Sequence, residues 1–444
     1  MTYQESGLVG SLGGTPGRNA PRKAALVTPC LSHLPFHPSC FLGYGAAVLA
    51  QRYDLDVIDL NAEIHGRHGD GLNAVLRAMD DTSVVWETMH LQPLYSVLED
   101  RIDGYYDEIP WNSYHVVYVT APAWFPTVPT KAVLRLTSSI RRISPETNVV
   151  FFSNSLGAWT DERELKQHLV HVAHLNDLFA VQAEAGPVMY DVLPTPAYEH
   201  REKYLFDLVP FVLKHGCSWA RCRFCSLCKG WNAGYLERSS EIVIKELEIL
   251  VDRYAPKVLV CRDNSINGDN LMEFCGSIER LGLPWCGMSR ADLSGEQIEA
   301  LGRARCRMIF FGLESGSDKT LRAVNKGITS QQMSDFIKRL YDAGIVPAPS
   351  IVVGAPGETR ADYEETIRFM ADHRRYLEVV NVYPFMATPH SDFGSQDERP
   401  SPDTVVRLMH FTMKCEDLGL KVCVGEQCAE YVLFKRMYAD HITA

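Results

Sequence analysis

The chain has no apolar run near the roughly 20 residues that a membrane-spanning helix requires. It has no basic excess either: the net charge is −11. A phosphate-backbone binder would need the opposite sign, so neither a membrane nor a nucleic acid is expected as a partner. A basic-then-apolar leader is lacking, and residues 1–22, rich in Gly and Ser, read as a disordered tail. A Gly-x-Gly-x-x-Gly fingerprint is missing from the first strand–helix turn, TPCLSHLPFHPSCFLG, which disfavours nicotinamide and flavin.

What is present is ordinary for a globular protein. The 444 residues, 46% hydrophobic and 22% charged, suffice for two or three domains. Thirteen cysteines without a secretion signal point to a reducing compartment and a cytoplasmic location. Most stand singly in apolar segments, as at Cys261, Cys275, Cys286 and Cys306, and read as small buried hydrophobes.

From Lys23 onward, continuous apolar strands alternate with amphipathic helices, the pattern of a parallel sheet covered on both faces. KAALVTP, DLDVIDLN, YHVVYVTAP, TNVVFFSN and DLFAVQAE are the expected strands of a Rossmann-like doubly wound domain over 23–190. An insertion at about Glu63–Ser113 interrupts it, and a proline-bearing linker, 191–204, follows. Six further strand–helix units over 205–390 are too few for the usual closed eight-unit barrel, so an open partial (β/α)6 barrel is expected. Residues 391–444 read as a C-terminal extension.

The first strand of the second domain runs into KHGCSWARCRFCSLCKGW, with cysteines at 217, 222, 225 and 228. Such a loop lies at the C-terminal strand edge, where α/β sheets and barrels place their chemistry. Three thiolates there can ligate three irons of a cubane cluster, whereas four could close a structural zinc site. Zinc sites usually pair two separated knuckles, and no second knuckle follows here. Two triples compete for a cluster: Cys217, Cys222, Cys225, and Cys222, Cys225, Cys228.

This loop resembles the signature of the radical S-adenosylmethionine (SAM) superfamily. Its cysteines are spaced three and two residues apart after the first strand of a partial barrel, with an aromatic before the third. Phe224 before Cys225 favours the first triple, although Cys217 stands one residue further off than usual; Leu227 takes that place in the rival set. The resemblance implies a [4Fe–4S] cluster whose open iron chelates SAM, one-electron cleavage to a 5′-deoxyadenosyl radical, and hydrogen abstraction from an unactivated C–H bond. It also implies SAM contacts from Arg290 in MSRAD, from Gly312, Glu314, Ser315 and Gly316 in FFGLESGS, and from Gly354 in VVGAPGET. Asp263 and Asn264 in RDNSING face the same mouth or cap the next helix.

A Rossmann-like domain ahead of the barrel is similar to the cobalamin-binding subgroup of that superfamily. Candidate cobalamin contacts are Pro29, Ser32, Thr120, Ala121, Ser153 and Asn154, beyond the strand ends. The Asp-x-His-x-x-Gly motif that supplies a histidine to cobalt elsewhere is absent. EIHGRHG is a near miss after the wrong strand, and His65 and His68 read as loop residues. The resemblance thus implies a cobalamin-dependent C-methyltransferase acting on a small-molecule or peptide intermediate, served by a flavodoxin or ferredoxin. The alternative is cyclisation, ring contraction or rearrangement without methyl transfer. No second N-terminal cysteine triple accompanies the loop, which disfavours a methylthiotransferase. Cys415, Cys423 and Cys428 are loosely spaced and read as buried thiols, not an auxiliary cluster.

Overall fold

β-Branched and apolar residues dominate the strands, and the parallel pairing they adopt buries them on both faces. The computed structural model describes residues 22–30, 34–120, 127–153, 171–174, 189–225, 234–387, 391–394 and 400–442. The first half contains β1 (Lys23–Thr28), α1 (Cys40–Leu49), β2 (Asp54–Asp59), α2 (Leu60–Arg67), α3 (Gly69–Asp81) and β3 (Val84–Trp86). It continues with α4 (Glu87–Glu99), α5 (Ile102–Asp107), β4 (Val116–Val119), α6 (Thr127–Ile143), β5 (Asn148–Ser153) and β6 (His171–His174). Five strands make a parallel sheet in the order β2-β1-β4-β5-β6. On β1, Ala24 and Leu26 pack with Leu42 and Tyr44 of α1, while Ala25 and Val27 pack on the other face with Val133 and Leu136 of α6. The sheet is therefore doubly wound, as expected.

Two details differ from the sequence reading. The fifth strand is HVAH, which is not among the strands expected from sequence; it pairs with β5, Val150 opposite His171. DLFAVQAE lies outside the described residues. His65 belongs to α2 and is fully buried, not a loop residue, whereas His68 stands in the turn between α2 and α3.

The second half begins with β7 (Leu208–Phe211), β8 (Lys214–His215), β9 (Leu236–Glu237), α7 (Ser240–Tyr254), β10 (Val258–Cys261), α8 (Leu271–Ile278) and β11 (Trp285–Ser289). Next come α9 (Gly295–Arg303), β12 (Cys306–Glu314), α10 (Asp318–Ala323), α11 (Ser330–Asp342), β13 (Val346–Val353), α12 (Arg360–His373) and β14 (Val379–Pro384). The chain ends with α13 (Pro402–Asp417), β15 (Lys421–Val424) and α14 (Glu426–Ile442). Capping boxes fix the starts of α9, α11 and α12: Ser294 with Gln297, Thr329 with Gln332, and Thr359 with Asp362.

The six expected barrel strands all form, but the parallel sheet has eight, ordered β3-β15-β14-β13-β12-β11-β10-β7. The C-terminal segment is thus no mere extension, because β15 adds to β14. Val84–Trp86, from the insertion in the first half, adds to β15. The sheet crosses the boundaries drawn from sequence at both ends. Its outer face packs under α7 to α13, and its inner face carries α14, with Phe434, Leu433 and Cys428 against Val258, Met308 and Cys423.

A buried polar node joins the two halves. Arg238 donates to Asp191 (3.0 Å), to the Val212 carbonyl (2.7 Å), to the Tyr44 hydroxyl (3.0 Å) and to Glu246 (3.1 Å), and Tyr44 also donates to Glu246 (2.6 Å). Removing one partner strands a desolvated charge, which costs about 3–5 kcal/mol. Arg238→Ala should therefore lower the thermal unfolding midpoint sharply, while Arg238→Met with Glu246→Leu should recover most of it; calorimetry on the three proteins checks this.

Candidate active site

The cysteine loop is closed at its base by the antiparallel pair β8–β9, Lys214 opposite Glu237 and His215 opposite Leu236. Lys214 is buried, donating to Glu237 (3.1 Å) and to Asn270. Burial alone would raise the Glu237 carboxyl. Tyr235, the backbone of Asn270 and Asp269, and Lys214 overcome it with hydrogen bonds and bring it down to about 2.

Among the described cysteines only Cys217, Cys222 and Cys225 are partly exposed, and every other one is buried. Burial pushes the thiols of Cys415 and Cys423 up to about 12 and that of Cys428 well above its usual range. These are inert core residues. Cys228 lies outside the described residues. No group of three or more His, Cys, Asp or Glu side chains, among the described residues, is gathered as a metal site. The donor set still fits a cluster: three accessible thiols on one loop beside cationic groups. Burial pushes the Cys222 thiol up to about 11, opposed by Lys326 and Arg290.

The loop is pinned to the segment after α10. Trp219 Nε1 donates to the Asn325 carbonyl (3.0 Å), Arg223 N–H to the Val324 carbonyl (2.9 Å), and Asn325 Nδ2 to the Arg221 carbonyl (2.8 Å). Lys326 is buried and its Nζ lies 2.7 Å from Glu314 Oε1; Glu314 and Cys222 hold its pKa up against desolvation. Glu314 itself adopts φ 64°, unusual for a residue with a Cβ and a mark of a constrained strand end.

Arg290 stacks over Trp219 (4.9 Å to the ring centre) and donates to Asp292 (2.9 Å) and to the Lys326 carbonyl (3.1 Å). A bidentate grip on a carboxylate by Arg290 would therefore displace Asp292. Asn267 organises this corner by accepting from Arg290 N–H (2.9 Å) and donating to Asp292 (2.6 Å).

Of the candidate SAM residues, Arg290, Gly312 and Glu314 thus converge on the cysteine loop. Ser315 and Gly316 are taken up by α12: the Ser315 hydroxyl lies 2.9 Å from that of Thr366, which also accepts from Gly316 N–H (3.0 Å). Gly354 (φ 84°) packs where a Cβ would come within 2.5 Å of Thr404, and its N–H donates to Glu358 (2.9 Å). Its small size is needed by α13. Trp219, Lys326 and Asn267 were not singled out from sequence. Asn267 does sit in RDNSING, and the NKG after α10 was the available sign of a turn.

Of the candidate cobalamin residues, Ser32, Ala121 and Asn154 lie outside the described residues. Pro29, Thr120 and Ser153 follow or end β1, β4 and β5 at one sheet edge. The Thr28 and Thr120 hydroxyls and His65 Nε2 are buried there without a hydrogen-bond partner among the described residues. Unsatisfied buried polar atoms are uncommon, and these suit a polar ligand at the edge. His65 is held neutral, its pKa lowered to about 4 by burial.

Residues 211–370 match the family described as the Radical SAM superfamily. An uncharacterized methyltransferase of Pyrococcus horikoshii is 28% identical over 272 residues, 56% of this chain and 59% of that protein. Two solved folds overlay most of the chain. The cobalamin-dependent SAM radical enzyme OxsB with aqua-cobalamin has TM-score 0.56 and 13% identity, over 89% of this chain and 56% of its own. The radical SAM methyltransferase TsrM of Kitasatospora setae, with cobalamin and a [4Fe–4S] cluster, has TM-score 0.55 and 15% identity, over 86% and 80%. TsrM is also solved with its tryptophan substrate. At such identity the likeness is one of fold, and it covers both halves. The likeness to the radical SAM superfamily is carried by residues 211–370, and the chain spans a little over half the length of the Pyrococcus relative and of OxsB.

Ala substitution at Cys217, Cys222 or Cys225 should abolish iron uptake on anaerobic reconstitution, while Cys415→Ala and Cys423→Ala should retain it. Full iron in Cys217→Ala would move the site to Cys222, Cys225 and Cys228. Gly327 (φ 72°) lies so close to the Trp219 ring that any Cβ collides with it. The left-handed backbone adds roughly 1–2 kcal/mol of strain for a residue with a Cβ. Gly327→Ala should cut iron per chain at least twofold.

Proposed function

We propose that the chain is a cobalamin-dependent radical SAM C-methyltransferase acting on an unactivated carbon of a small molecule or peptide. The observation that carries this reading is the convergence of the partly exposed cysteine loop on Glu314, Lys326 and Arg290 at one strand edge. Cys217, Cys222 and Cys225 would hold a [4Fe–4S] cluster, and Arg290, Gly312, Glu314, Ser315, Gly316 and Gly354 would serve SAM. Pro29, Ser32, Thr120, Ala121, Ser153 and Asn154 would serve cobalamin. When bound, these groups supply a carbon-centred radical and a transferable methyl group.

The chain's residues bind and orient. Glu314 has one oxygen held by Lys326 and offers the other to hydroxyls, and the Trp219 ring and Arg290 wall the mouth against water. The methyltransferase name of the Pyrococcus relative and the cobalamin in OxsB and TsrM support the assignment. A low-potential donor of the flavodoxin or ferredoxin type would complete the system.

After anaerobic reconstitution with hydroxocobalamin, absorbance should report near one cobalamin per chain. Turnover with substrate should yield both S-adenosylhomocysteine and 5′-deoxyadenosine. 5′-Deoxyadenosine alone would mean rearrangement without methyl transfer, and no cobalamin would reduce the first sheet to a scaffold.

A further inference from the structure

Between the inner face of β10–β14 and the start of α14 lies a partly open cavity of about 100 Å³. Its walls are largely apolar, with Met288, Phe310 and Leu433 among them, and Gly312 places it next to the Glu314–Lys326 pair. Its polar wall consists of Arg262, Asp263, Ser350, Asn381, Tyr383, Glu426 and Glu430, with the Ser350 hydroxyl spent on the Phe311 carbonyl.

The hydrogen-bond balance of that wall is one-sided. Arg262, its only cation, is paired with Glu430 at 2.7 Å. Asp263 is 3% exposed; its Oδ1 accepts from Leu213 N–H (3.0 Å), but its Oδ2 has no hydrogen-bond partner. Asn381 donates to Tyr383, and its Oδ1 is buried and unpartnered. Glu426 stands in the fields of Glu430, which repels it, and of Arg262, which attracts it. The wall thus holds two buried acceptors without partners among the described residues, Asp263 Oδ2 and Asn381 Oδ1, and three carboxyls against one guanidinium. Burial pushes Asp263 up to about 7 and Glu426 up to about 8, and a positive partner would relieve that cost.

We propose that this cavity is the substrate chamber and that it selects an alkyl guanidinium or alkylammonium head on an apolar stem, held by Asp263, Asn381 and Glu426. The proposal rests on the radical SAM reading for the chamber's role, while its charge preference is independent of that reading. A neutral head could satisfy the acceptors but not balance the charge of the carboxyls, and an anionic head would do neither.

The test is equilibrium binding to the cluster-loaded protein of three isosteric probes: n-butylguanidinium, n-butylurea and hexanoate. The guanidinium should bind at least tenfold more tightly than the urea, and hexanoate most weakly. Glu426→Gln and Asp263→Asn should each lose tenfold or more for the guanidinium and little for the urea. The peptide acetyl-Gly-Arg-Gly-amide distinguishes the source: comparable binding assigns a peptide side chain, and exclusion assigns a free small molecule. Equal binding of guanidinium and urea, tighter binding of hexanoate, or displacement of the guanidinium by saturating SAM would each overturn the proposal. The wild-type comparison stands even if a variant fails to fold. Iron content and dithionite-driven 5′-deoxyadenosine formation, measured on the same protein, report separately on the radical SAM reading.

Discussion

A parallel sheet has two apolar faces, and neither can be left in water. In the second half of this chain, helices cover the outer face in the ordinary way. The inner face is the harder problem. A closed barrel fills its interior with side chains from opposing strands. Here β3 and β7 are the two edges of the sheet, and α14 takes the place of the missing strands. The chamber exists because α14 does not fill the whole concavity. Its first turn supplies Glu426 and Glu430 instead of apolar packing.

That same turn is where the two halves meet. Gln427 accepts from the backbone of Leu34, in the loop after β1, at 2.6 Å and from Tyr95 at 2.7 Å, and it is held by Glu87. The C-terminal edge of the first sheet and the inner cavity of the second thus meet at one helix start. The Arg238 node, through Tyr44 of α1 and Glu246 of α7, ties the halves together a second time.

The parts legible in the sequence were those with a local physical cause. Apolar runs such as YHVVYVTAP and RMIFFGLES form strands because parallel pairing buries both their faces. Cys217 was legible as part of a dense cysteine loop at a strand end, and Arg290 and Glu314 only through the resemblance that loop carries. Three-residue VVW and four-residue KVCV carry too little periodicity to declare themselves, so the tail and the insertion hid their strands. HVAH, four residues with two histidines, has no strand pattern of its own to declare it. Trp219, Lys326 and the acids of α14 gain their roles only from neighbours distant in sequence, and local pattern has no access to those.

The edge formed by β3 and β15 joins a strand from the first quarter of the chain to one near its end. Pairings at such separation are entropically expensive and form late. During synthesis, β7 and the strands after it can assemble as they emerge, but the chamber wall made by α14 cannot. The cysteine loop therefore emerges before the wall that encloses the cavity beside it, and the β3–β15 seam makes that enclosure the last part of this fold to close.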